Sequence, residues 1–150
     1  MAKDEEREFV NAPLLLLRVV LGLAFASHGA QKLFGWFGGG GIGGTGRFFE
    51  SIGFRPGSRF ALASGLGEFL GGTLLALGFL GPVGPALMIS VMVVAILTFH
   101  RGHDFFVYNN GAGLPIVYIT GAVSVAFAGP GQTRSLYHLS DDSGTDVCGC

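Results

Sequence analysis

From Phe60 to Leu80 the chain runs for 21 residues with a single charged side chain, Glu68. A segment of that length and apolarity matches the roughly 17 to 25 residues that cross a bilayer as a helix. Three further apolar segments accompany it, Leu14 to Gln31, Val83 to Phe99 and Ala112 to Ala128. None alternates apolar and polar residues as a barrel strand does, and in lipid only helices or closed barrels satisfy their own backbone groups. The expected fold is an all-α integral membrane protein, an antiparallel bundle of four transmembrane helices. Composition agrees, with 49% hydrophobic residues, 13% charged and a mean hydropathy of +0.56, where a soluble domain carries about 25% charged residues.

The bundle spans residues 13–131, between a polar N-terminal segment, 1–12, and a polar C-terminal tail, 132–150. Asn11 and Pro13 suit a helix start, and Gly129-Pro130-Gly131 closes the fourth segment. Ala24-Phe25-Ala26 imitates a signal cleavage site, but the acidic leader and Arg18 within the apolar run argue for a retained helix. Only Gly81-Pro82 separates the second and third segments, which makes them antiparallel neighbours. Both chain ends then share one membrane face, side A, while the first and third loops share the other, side B.

The first loop, 32–59, divides in two. Gly38 to Gly46 is expected to be a flexible run, followed by RFFESIGF, where Phe48, Phe49 and Ile52 recur at helical spacing opposite Arg47, Glu50 and Ser51. That pattern is a short amphipathic helix lying in the interface on side B. GIGGTG fits the dinucleotide-binding glycine pattern, but no strand or βαβ unit frames it. Phe34, Trp36 and Phe37 stand where an aromatic belt would mark the exit from lipid. Four basic residues fall on side A and five on side B, so positive charge sets no orientation. The scattered basic residues and net charge of -1 also exclude nucleic acid as a partner.

The polar residues of the apolar segments carry the functional reading. Ala61, Ser64, Gly65, Gly71 and Gly72 share a helical face with Glu68, and small residues mark a packed face, so Glu68 points inward. Arg18, Gly22, Ala26, Gly29 and Lys32 form a similar stripe on the first helix, with His28 at its rim. At 1.5 Å per residue, Glu68 lies roughly 12 Å in from side B and His28 about 6 Å. His28 or Lys32 is thus the expected partner of Glu68, and Arg18 anchors side A separately. The third segment ends on side B with His100, so His28, Gln31, Lys32, Glu68 and His100 form a candidate polar cluster, with His103 and Asp104 beside it.

Snorkelling to the headgroups is the structural alternative for Arg18 and Lys32. His100, His103 and Asp104 have the i, i+3, i+4 spacing of helical metal ligands, but Gly102 interrupts the helix and no metal site is assigned. Cys148 and Cys150 read either as a redox or soft-metal thiol pair or as the end of a polar tail after SDDSGTD; the tail reading is favoured.

The residues LLLLRVVLGLAFASHGAQKLFG, RFFESIGF, SGLGEFLGGTLLALGFLGPVGPALMISVMVVAILTFH and GPGQTRSL together resemble the DoxX-like membrane proteins, over about residues 13–137. The resemblance implies a four-helix, multi-pass protein of a bacterial or archaeal inner membrane. In that family some members are linked to quinone-dependent oxidation of sulfur compounds, others to membrane complexes that handle thiol or superoxide stress. The chain departs from the pattern at Tyr137-His138, where an acidic residue often stands, and in its terminal Cys-Gly-Cys.

Two classes of function follow. In the first, a redox-associated subunit binds quinone through the His/Lys/Glu cluster and couples a soluble or membrane oxidoreductase to the bilayer. No haem or flavin motif is present, so electrons would come from that partner. In the second, the protein is a non-enzymatic scaffold or a small-solute or proton-coupled pathway, which also calls for intramembrane ionisable groups. The small-residue faces suit a homodimer as well.

Overall fold

The computed structural model describes residues 2–99, 105–106 and 111–128, and every regular element among them is helical. Helix α1 spans Ala2–Phe34, α2 Gly41–Ser51, α3 Gly57–Leu77, α4 Val83–Thr98 and α5 Gly113–Ala128, with a single 3-10 turn at Trp36–Gly38. His100, His103, Asp104, Cys148 and Cys150 lie outside the described residues.

Three boundaries differ from the sequence expectation. Helix α1 begins well before Asn11 and carries Pro13 inside it; Glu5-Glu6-Arg7-Glu8 are strong helix formers that extend it backward. The glycine run is not a free linker, because GIGGTG forms the first half of α2. Contact with α3 explains this: Gly46 is buried, and a Cβ on it would come within 3.1 Å of the Ser58 nitrogen. Helix α3 starts three residues early, at Gly57, and stops three early, at Leu77. Gly78 (φ +67) takes the left-handed conformation there, and Gly78 N–H and Phe79 N–H bond back to the Leu75 and Leu74 carbonyls, a Schellman cap.

Glycines also set how the helices meet. Gly22 on α1 lies against Ala76 and Gly72 of α3, and a Cβ there would come within 2.6 Å of backbone atoms of both. Gly29 lies against Phe69 and Gly65, so rising numbers on α1 meet falling numbers on α3 and the two are antiparallel. Gly67 against Val91, Gly71 against Leu87 and Gly84 against Leu75 give the same sense for α3 and α4. Leu21 against Gly121 and Phe25 against Tyr118 do so for α1 and α5.

The core these contacts enclose contains Phe25, Leu75, Met88, Met92, Tyr118, Ala122 and Val125. Outside, the surface is apolar: Leu16 is 66% exposed, Leu77 67% and Phe127 89%, with Leu15, Leu23, Leu70, Val94 and Val117 also outward. A water-soluble monomer rarely presents apolar surface on this scale. Two spans, Ala12–Phe34 and Gly57–Leu77, are long and apolar enough to cross a membrane, while α4 and α5 are shorter, at 16 residues each. Phe34 at the end of α1 and Trp36 and Phe37 just past it are exposed, with Trp36 in ring contact with both.

Candidate functional site: an ion pair at the head of an aromatic cavity

The buried charge predicted on α3 is there. Glu68 is 2% exposed, and its Oε1 accepts a hydrogen bond from Lys32 Nζ at 2.5 Å. Small residues make the approach feasible, since Gly65, one turn from Glu68, lies directly against Leu33 and Lys32 of α1. The start at Gly57 sets Glu68 eleven residues into α3, about 16 Å by the helical rise. That depth exceeds the sequence expectation by one turn. Lys32 reaches it because α1 runs on to Phe34 and its long side chain extends along the helix.

The second carboxylate oxygen, Oε2, is buried and has no hydrogen-bond partner among the described residues. Glu68 and Lys32 line a cavity of about 600 Å³ whose walls come from α1, α2, α3, α4 and α5. His28, one turn before Lys32, lines it too and meets the edge of Tyr118 at 6.2 Å between ring centres. Away from the ion pair the walls are aromatic: Phe48 stacks edge-on to Phe99 at 5.0 Å, and Phe54 to Phe60 at 5.0 Å.

Helix α2 closes one side of this space with Phe48 and Phe49, joined by Ile52 just past its end, the apolar residues of the amphipathic pattern. It is held to α3 by Glu50, whose Oε1 accepts from the Gly57 N–H at 3.2 Å. The first residues of α3 have no side-chain cap of their own, with Pro56 before them, so a carboxylate from a neighbouring helix meets their exposed N–H groups and positive dipole end. The sequence reading assigned Glu50 only to a polar face. Its spacing within α2 gives no sign that it reaches seven residues on.

The structure separates the other candidates. Gln31 does not line the cavity; its amide Nε2 donates to the Phe37 carbonyl at 3.4 Å and ties α1 to the turn that follows. Arg18 is 5% exposed and borders a separate cavity of about 180 Å³ beside Gly78. Its Nε donates to the Leu75 carbonyl, where the end of the α3 dipole favours a cation. Tyr118 was missed. A lone hydroxyl-bearing ring in the apolar run 112–128 was the signal available, but its position against Phe25 and His28 depends on packing.

Helices with an apolar exterior around a buried ion pair define a membrane protein. The DoxX family model matches residues 13–101, which include α1 from Pro13, the turn, α2, α3 and α4, and the chain belongs to the DoxX family. Neither a curated protein nor a solved structure matches the chain.

Proposed function

We propose that the protein is a redox-associated, multi-pass inner-membrane subunit in which α1, α3, α4 and α5 form an antiparallel four-helix bundle and the cavity at Lys32 and Glu68 binds a quinone. The observation that carries this reading is the pairing of an ion pair, one oxygen of it unmet, with an aromatic-walled space of about 600 Å³. Ligand sites commonly have this size and this proportion of apolar wall to a few placed polar groups. Beyond the bond to Glu68, the Lys32 ammonium keeps two donors and His28 has a ring nitrogen to offer ring oxygens, and the Glu68 carboxylate beside them can take up a proton. Phe48 and Phe49 of α2, Phe54 after it, Phe60 of α3 and Phe99 at the end of α4 would hold the ring and keep water out.

A bound quinone would supply two-electron, two-proton chemistry. This chain's own residues would bind and orient it, and Glu68 with His28 would hold and move protons at the carboxylate and imidazole. Electrons would come from a partner oxidoreductase of sulfur, thiol or oxidative-stress chemistry. Helix α2, amphipathic and adjacent to the cavity, is the surface best suited to meet that partner.

The test is quinone-linked electron transfer in inverted membrane vesicles carrying the wild-type chain or Glu68→Gln. The substitution keeps size and removes the ionisable group, so the expected result is a loss of about a hundredfold, within the range general acid-base groups contribute, with the protein folded and in place. Normal turnover in Glu68→Gln would remove the proton role. Glu68-dependent proton or solute flux in proteoliposomes, without quinone turnover, would favour a pathway instead.

A further inference from the structure

Resting on the quinone-site reading, we propose that this cavity selects the reduced ligand: an alkyl-substituted hydroquinone, bound by donation of one phenolic O–H to Glu68 Oε2. The chemistry of the unmet atom leads to this. Glu68 Oε1 is paired with Lys32 Nζ, and the carboxylate of such an ion pair only accepts hydrogen bonds. Its Oε2 is buried with no donor among the described residues, and Glu68 is one of the residues that line the cavity. Whatever sits there is therefore best matched if it brings a donor.

A quinone carbonyl brings only lone pairs to that oxygen, while a hydroquinone brings an O–H, and the bond it makes is charge-assisted and short. The other features of the space fit the rest of such a molecule. Phe48, Phe54, Phe60 and Phe99 offer ring edges and faces to a flat aromatic head. His28 and Lys32 remain at the same end to meet the second ring oxygen. An alkyl tail would follow the aliphatic wall of Val91, Val94 and Ala95 on α4.

A site built around a ligand hydroxyl rejects the analogue that lacks it far more strongly than an apolar pocket rejects a missing methylene. The reduced form should bind on the order of tenfold or more tightly than the oxidised one.

The experiment is calorimetric titration of the purified protein in detergent, under argon, with three probes: a decyl-substituted benzoquinone, its hydroquinone, and the hydroquinone's dimethyl ether. The hydroquinone is expected to bind tightest. The dimethyl ether, which keeps the ring and tail but donates nothing, is expected to fall to the level of the quinone or below. In Glu68→Gln the preference should shrink, because the amide offers both a donor and an acceptor. The three wild-type titrations do not depend on the variant folding. Equal binding of quinone and hydroquinone, or a preference for the quinone, overturns the selectivity and leaves the quinone site standing; the second result would mean that Glu68 presents a proton at Oε2. Failure of all three probes, with lipid acyl chains recovered from the protein, overturns both.

Discussion

Lys32→Met is expected to destabilise the folded protein by about 3–5 kcal/mol, and Glu68→Gln by considerably less. Removing one member of a buried ion pair leaves the other uncompensated, and the cost depends on how deeply the survivor is buried. Glu68 is 2% exposed, enclosed by the helices, and a methionine at position 32 leaves its charge with no partner. The Lys32 side chain is 32% exposed on a flexible stem, so after Glu68→Gln its ammonium can turn toward the interface. The double variant Lys32→Met/Glu68→Gln, which contains neither charge, is expected to recover most of the loss. Unfolding titrations in mixed micelles give the three values. Equal single-variant costs, or a double variant no better than Lys32→Met, would mean that the pair is not the buried, coupled unit described.

The second large effect comes from glycine. Gly22→Ala and Gly29→Ala place a methyl group against the backbone of α3, at Gly72 and Ala76 in the first case and at Gly65 and Phe69 in the second. Backbone cannot rotate away as a side chain can, so each is expected to cost about 1–3 kcal/mol through forced separation of the helices. The same change in α2 should act in the opposite direction. Nothing lies within 4 Å of a Cβ at Gly43 or Gly44, which are helical, and alanine there should stabilise by roughly 0.5–1 kcal/mol through helix propensity alone. Thermal unfolding in detergent separates the two classes by sign. Destabilisation by Gly43→Ala would show that α2 makes contacts beyond those seen here.

That contrast also marks what the sequence made legible. The small-residue stripes around Glu68 and along Arg18, Gly22, Gly29 and Lys32 could be read because helical period and residue size are local properties, and those faces do meet. The same period together with depth along the helix leaves His28 or Lys32 as the partner of Glu68, and the structure pairs it with Lys32. Where the outcome depended on a neighbour, reading failed. GIGGTG looks like a linker by composition, since glycine weakens an isolated helix, and becomes helical where Gly46 and Gly57 let α2 settle on α3. Gly78 ends α3 by its left-handed conformation, a feature that two further apolar residues, Phe79 and Leu80, concealed. Gln31 and Tyr118 exchanged places for a comparable reason: a polar residue at the right depth turns toward the Phe37 carbonyl, while a tyrosine 50 residues beyond Glu68 reaches the cavity through α5.

The account turns on whether the space beside Lys32 and Glu68 holds a quinone-type molecule in the membrane. The most direct measurement is mass spectrometry of the organic extract of the protein purified from native membranes in mild detergent, beside extracts of His28→Ala and Glu68→Gln purified in the same way. The account predicts quinone or hydroquinone near one equivalent per chain in the wild type, its loss in His28→Ala and a lower content in Glu68→Gln, where an amide bond replaces the charge-assisted one. Extracts that contain lipid but no quinone, or quinone retained equally in all three proteins, would contradict it.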